Sequence, residues 1–213
     1  WQAYTAVSDC FGLAYNWNGH KFLVFTAPTQ QAALGDTTTW AFDVSSGMWH
    51  EKLSYDINGV PLGRWRGNMA IEAYGKILIG DAFSGKIGYL SKDVTTEFDC
   101  PVRWSATSPP YSAGDKALFH SNLTLDMETG VGISTGQGSD PQIMLDVSDD
   151  GGKTWASIQY WSAMGAMGAY TTWVRYKQLG RTERGGTRVY RVTISDPVRR
   201  TLIGAHSDMY PGI

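Results

Sequence analysis

Asn18-Gly19 separates two strand-like runs, residues 12–17 and 20–26, and few dipeptides commit a chain so strongly to a two-residue hairpin. Such a turn needs positive φ at both central positions, which Asn tolerates and Gly adopts freely. The device then recurs. Residues 38–44 and 48–53 flank Ser45-Ser46-Gly47, residues 67–73 and 76–81 flank Tyr74-Gly75, and residues 86–91 return after Ser84-Gly85. A chain broken this often by glycine turns has no room for long helices, and an all-β fold is expected. The 13% aromatic content, with 9 Trp and 11 Tyr, points the same way, because flat and β-branched side chains suit half-buried pleated sheets.

The first four runs close on Trp40-Ala41-Phe42-Asp43 and, past the turn, on Gly47-Met48-Trp49-His50-Glu51. This W-x-F-D and W-H-E pattern resembles one blade of a kelch-like β-propeller, and a weaker copy follows it. Two blades cannot close a propeller. The chain also opens on Trp1, inside what reads as structured protein. Residues 1–100 are therefore expected to be a propeller-like β-blade region of a larger domain, in a fragment of a longer chain. Residues 95–113 read as loop, interrupted by Pro101, Pro109 and Pro110, and a domain boundary falls there. Six further runs follow, at 117–126, 142–147, 154–160, 171–178, 188–195 and 201–206. Leu123, Leu125 and Met127 share one face, and Val174 and Tyr176 oppose Arg175 and Lys177. Residues 101–213 are expected to form an antiparallel β-sandwich-like region. Between them, Met164 and Met167 sit among two glycines that argue for a flexible loop.

Ser148-x-Asp150-x-Gly152-x-Thr154-Trp155 matches the whole Asp-box pattern. Asp in a turn accepts backbone N–H groups, Gly tolerates positive φ, and Thr and Trp begin a return strand with the Trp155 ring expected under the turn. The pattern occurs in sialidases and in non-enzymes alike, so a structural role is expected. Sialidase-like chemistry needs several boxes and an arginine cluster around a Tyr–Glu pair, and one box is present. An EF-hand reading from Asp146 fails at its twelfth position, Ser157, where a bidentate Glu is required. A P-loop reading of Gly152-Lys153-Thr154 fails at Val147, its leading glycine position, with no helix to follow.

The enzymatic alternative is a Ser134-dependent acyl hydrolase. Gly132-Ile133-Ser134-Thr135-Gly136 is a literal G-x-S-x-G, and Asp196 and His206 follow in hydrolase order. That motif works as a strained strand-to-helix elbow over a parallel sheet, but Gln137-Gly138-Ser139-Asp140-Pro141 begins no helix. A second alternative is a carbohydrate-binding module with exposed Trp and Tyr as sugar platforms. His20, His50, His120 and His206 are dispersed without metal-ligand spacing, and neither metal nor cofactor is expected.

A net charge of −2 gives no global attraction to nucleic acid or anionic membrane. From Ala163 onward, however, eight basic residues stand against three acids, a formal charge of about +5 against about −7 for the remainder. Arg175, Lys177, Arg188, Arg191, Arg199 and Arg200 are the candidate basic contact surface for an acidic partner or DNA phosphates. Solvated faces of alternating strands would give the same count. Cys10 and Cys100, far apart, suit free thiols in a reducing compartment, with a single disulfide as the alternative. No apolar run reaches the roughly 18 residues of a membrane span, and no signal peptide opens the chain.

Several stretches together carry a family resemblance. They are Leu125 to Gly132 with Thr135 to Gln142, Ser148 to Trp155, Tyr190 to Val198, Gly63-Arg64-Trp65-Arg66-Gly67 and the W-x-F-D blade. In this order they resemble the C-terminal portion of the packaged-DNA stabilisation (tail hub) proteins of short-tailed phages of the Salmonella-phage type. The resemblance spans residues 10–206. It implies a non-enzymatic structural protein of the virion tail, assembled in the host cytoplasm as a homo-hexameric ring. Such a ring prolongs the portal channel beneath the portal and its adaptor, retains packaged DNA and docks the tail needle and tailspike or fibre proteins. One segment departs from the family: residues 162–172, with Met164, Met167 and Ala169, replace a more charged linker, and no interface residue is carried over there.

Overall fold

The computed structural model describes residues 4, 7–28, 36–156 and 158–212; Trp1 and Ser157 lie outside the described residues. The chain divides into two units, Trp1–Val102 and Arg103–Ile213. Among the described residues there is no helix, and every strand pairing is antiparallel.

In the first unit, β1 (Phe11–Trp17), β2 (His20–Thr26), β3 (Thr39–Asp43) and β4 (Met48–Glu51) form a four-stranded meander in chain order. Asn18 and Gly19 turn the first hairpin at φ of 51° and 84°, as their chemistry requires. A three-stranded sheet follows, β5 (Gly67–Ala73), β6 (Lys76–Asp81) and β7 (Ile87–Tyr89), then a short pair, β8 (Thr96–Glu97) and β9 (Cys100–Pro101). The two larger sheets share a core of Tyr15, Val24, Ala41, Trp65, Ile77 and Ile79.

The Gly63-Arg64-Trp65-Arg66-Gly67 stretch supplies the centre of that core. Trp65 is buried, and its indole N–H donates to Glu97 Oε1 at 2.7 Å. A Cβ on Gly67 would stand 2.4 Å from the Trp65 ring, so the strand begins with glycine because the indole occupies the space. Arg66 donates to both Asp81 oxygens, at 2.9 and 2.6 Å, and to Cys100 Sγ at 3.0 Å. Cys10 and Cys100 are unbridged.

A local repeat closes two of these strands. Asp43, ending β3, accepts from Ser45 N and Ser46 Oγ, at 2.9 and 2.6 Å. Asp81, ending β6, accepts from Phe83 N and Ser84 Oγ in the same way. The Ser46 hydroxyl at one site and the Arg66 guanidinium at the other pull both carboxyls down to about 2.

Both larger sheets of this unit carry large apolar side chains on their outer faces as well. Opposite the shared core, the first sheet carries Leu23, Phe25, Phe42 and Trp49, with the Trp49 ring tilted against Phe42 at 5.0 Å and Phe25 at 6.2 Å. The second carries Met69, Ile71, Ile87 and Tyr89, which are 68%, 60%, 74% and 52% exposed.

The second unit has one core between two sheets. Its first sheet runs in the order β10 (Trp104–Thr107), β15 (Val189–Ile194), β12 (Gln142–Ser148), β13 (Tyr160–Ala163). Its second runs β14 (Val174–Lys177), β11 (Leu118–Met127), β16 (Leu202–Pro211). Ile143, Leu145 and Val147 from β12, with Tyr190, Val192 and Ile194 from β15, meet Leu123, Leu125, Met127, Val174 and Tyr176. The Tyr176 hydroxyl crosses the core to donate to Ile143 O at 3.0 Å. Side chains alternate in and out along β11 and β14, as the sequence pattern requires.

Three expectations need correction. Residues 95–113 are not all loop, since β8, β9 and β10 lie within them. The β8–β9 turn uses Phe98 and Asp99 at φ of 49° and 68°, without the glycine that usually marks positive φ, and β10 is an edge strand free of proline. The return strand expected at 154–160 starts only at Tyr160, because Asp150 holds the backbone and hydroxyl of Thr154 in the turn. The 163–169 stretch is a pinned loop. Gly130 N donates to Met164 O at 2.9 Å, Gly132 N to Gly165 O at 3.3 Å, and Gly168 N to Gly130 O at 3.1 Å. A Cβ on Gly132 would lie 2.7 Å from Ser139 O and 2.9 Å from Ala166 Cα, and Met164 is fully buried.

Candidate functional site

The loop after β12 is built around two adjacent carboxylates with different partners. Asp150 Oδ1 accepts from the N–H groups of Lys153 and Thr154, each at 2.9 Å, and from Ser148 Oγ at 2.7 Å. Its Oδ2 accepts from Thr154 Oγ1 at 2.6 Å, while Gly152 N donates to Ser148 Oγ at 2.9 Å. These bonds, that of the Thr154 hydroxyl first, hold the Asp150 carboxyl far below the usual carboxylate range. Gly151 and Gly152 take φ of 79° and 94°, which explains two glycines in succession.

Asp149 points elsewhere. Its oxygens take Arg188 Nε at 2.6 Å and Nη2 at 2.8 Å, and Arg188 Nη1 donates to Leu179 O at 2.7 Å. Arg188 is only 3% exposed. Burial pulls its pKa down, but the bonds and charge of Asp149 more than offset this, and the net direction is upward. His120, 2% exposed, lies within the same core, with Nδ1 2.7 Å from the Tyr190 hydroxyl and Nε2 buried without a partner. Burial first, and the Arg188 charge second, push His120 down to about 4.

Asp146 forms a third pair. Arg191 donates to its Oδ2 from Nε and Nη2, at 3.1 and 2.9 Å, and Gln159 Nε2 to its Oδ1 at 3.1 Å. The Arg191 guanidinium lies 4.0 Å from the Trp155 ring centroid. Trp155 is therefore half-buried beneath an arginine rather than enclosed under the turn as expected, because β13 starts too late to cover it. Asp149 escaped notice in the sequence, and Asp146 was weighed there only as the start of an EF-hand loop. The available signal was a carboxylate between Leu145 and Val147, which demands a cation once β12 is buried.

The six candidate basic residues do not converge. Arg188 and Arg191 face the Asp149 and Asp146 carboxylates, and Arg199 Nε pairs with Glu128 Oε2 at 3.2 Å. Arg200 is half-buried, donating from Nη2 to Asp196 O at 2.9 Å, and burial lowers its pKa. Internal groups or burial hold Arg188, Arg191 and Arg200, whereas Arg199 stays largely exposed beside Glu128. Arg175 and Lys177 alone stand exposed together, on the outer face of β14.

The hydrolase constellation is not assembled. Ser134 lies in an exposed loop with no helix after it. Asp196 Oδ2 accepts instead from Gln142 N at 2.9 Å, and His206 stands across from Thr124 on β16. The nucleophile elbow that the chemistry requires is missing from this loop. Among the described residues, no group of His, Cys, Asp or Glu could hold a metal ion.

A family model described as "Bacteriophage P22 Gp10, beta-sandwich" matches residues 103–209, half of the chain, and coincides with the second unit. No curated protein matches the chain. The two facing sheets with a single core, and the family model that covers them, lead to one conclusion: the chain belongs to the bacteriophage P22 Gp10 β-sandwich family, structural proteins of the phage tail.

Proposed function

We propose that this chain is a tail hub component that prolongs the portal channel, retains packaged DNA and docks the other tail proteins. The family match over residues 103–209 carries the proposal. The partners are the portal and adaptor above, and the tail needle and tailspike or fibre proteins below, with the hub itself a homo-hexameric ring. Ring interfaces of this kind are heterologous, each subunit offering one patch to a different patch on its neighbour.

The first unit supports an assembly role. A sheet with apolar side chains on both faces is an inner layer of a stack, since water on either side is unfavourable at roughly 25 cal/mol per Å² of apolar surface. The exposed Met69, Ile71 and Ile87 face, and the Leu23, Phe42 and Trp49 face, both call for further sheets. Propeller blades stack in this manner, and the unit is read as blades of a larger β-propeller-type domain. The Ser148, Asp150, Gly152, Thr154 and Trp155 set is a structural Asp box: its polar groups bond to one another and to their own turn.

Native mass measurement tests the assembly. Mixed with the portal–adaptor complex of its phage, the hub protein containing this chain joins it as a ring of six subunits. A protein that stays monomeric and leaves the portal complex unchanged overturns the proposal.

A further inference from the structure

The register of the β14–β11–β16 sheet orders its outer face into rows. Arg175, Thr124 and His206 share one row, and Lys177, Asn122 and Asp208 share the next. Beyond a bulge, Arg181, Phe119 and Tyr210 form a third. Down the β14 edge this gives a column of three exposed cations, Arg175, Lys177 and Arg181. Among the described residues none of the three has a carboxylate partner, in contrast to Arg188, Arg191 and Arg199. Arg175 lies 5.4 Å from the ring of Trp173, which is 72% exposed. At the other end Arg181 lies 5.9 Å from the Phe119 ring, itself stacked on Tyr210.

We propose that this column is a docking strip for an extended, acidic polypeptide segment of a neighbouring protein. Alternate residues on a strand repeat at about 6.6–6.8 Å, and an extended partner presents same-face carboxylates at that same interval. Acids at alternate partner positions therefore meet Arg175 and Lys177 in step. The guanidinium of Arg175 lies beside Trp173 and donates Nε to Thr124 Oγ1 at 2.9 Å, which leaves its Nη1 and Nη2 N–H groups to grip a carboxylate end-on. Trp173 adds an apolar anchor beside the charges.

The width of the strip separates a peptide from DNA. Strands lie about 4.8 Å apart, so Asp208 on β16 is only about 10 Å across the sheet from the cations. A duplex, whose major groove alone is about 12 Å wide, lays phosphates over Asp208 as well. One extended chain does not. The inference relies on the tail-hub proposal only for the source of the partner, a neighbouring virion protein.

The test uses the intact chain and a fluorescein-labelled decapeptide of alternating Asp and Thr, read by fluorescence polarisation. Binding is expected at low salt and weakens as salt rises. The double variant R175E/K177E loses about tenfold or more in affinity, whereas R103E, an exposed cation elsewhere, keeps it. Melting curves establish that the variants fold, and R175Q/K177Q offers a milder change at the same positions. Absence of peptide binding, or binding indifferent to both double variants, overturns the proposal. Tighter binding of labelled dT20 that is lost in the same variants overturns it in favour of nucleic acid. A failed ring measurement leaves peptide binding untouched, and a failed peptide measurement leaves the ring untouched, so the two failures are distinguishable.

Discussion

The two units meet the same difficulty, an apolar sheet face in water, with different solutions. In Arg103–Ile213 two sheets turn their apolar faces toward each other, and the outer face of one carries Arg175, Lys177, Asn122 and Asp208 beside the exposed Trp173 and Tyr210. In Trp1–Val102 the sheets share one core yet keep Trp49, Ile71 and Ile87 53%, 60% and 74% exposed on their outer faces. One unit closes a core between its two sheets. The other leaves much of two outer sheet faces exposed. Polar groups do not follow that division: the first unit buries the Arg66–Asp81 pair, while the second buries His120 and the Arg188 side of its pair with Asp149.

That contrast is open to attack from its strongest claim downward. Leu145→Ala, at a fully buried position of the sandwich, should cost about 3–4 kcal/mol in urea unfolding of the second unit; a loss below about 1 kcal/mol would deny a closed core. His120 gives a pH signature. Its folded pKa of about 4 lies below the ordinary 6.5, so the unfolded chain takes up the proton first as the pH falls. Stability supplied by neutral His120 is thus complete above about 6.5 and declines toward pH 4, by an amount on the order of 2–3 kcal/mol. His120→Gln should flatten that part of the slope, and equal slopes for both proteins would sink the assignment.

Asp149→Ala should cost about 2 kcal/mol, less than a fully buried pair, because the Asp149 side chain is 45% exposed and water can reach the stranded Arg188. Trp155→Ala should cost about 1 kcal/mol, since its ring is half-buried under Arg191. Smallest of all, Ile71→Ser should change the melting of the isolated chain by no more than about 0.5 kcal/mol, yet impair assembly of the complete hub. A large loss in the isolated chain would show that this face is already covered.

Local chemistry was legible in the sequence and distant pairing was not. Asn18-Gly19 and Tyr74-Gly75 located β1, β2, β5 and β6 closely, because turn geometry is set by the turn residues themselves. The Ser148-to-Trp155 pattern likewise announced a turn closed by its own side chains. Phe98-Asp99 carries no comparable signal, and β8 and β9 were missed for that reason. The basic count carried less information. A count of arginines says nothing about Asp149, 39 positions before Arg188, or Asp146, 45 before Arg191, and only the sheet register brings those carboxylates across. Arg181 joined Lys177 and Arg175 only through a bulge that no periodicity predicts.

The adjacent residues Asp149 and Asp150 also set an order of events. Asp150 closes its turn over four positions, whereas Asp149 must wait for Arg188, 39 positions away. Short closures occur on the scale of about 10–100 ns, and the entropic cost of closure grows with loop length. During synthesis the turn can therefore take shape while Arg188 is still unmade, presenting Asp149 ahead of the strand that will receive it. A dipeptide of identical side chains thus combines an early, local nucleus with a late, long-range latch.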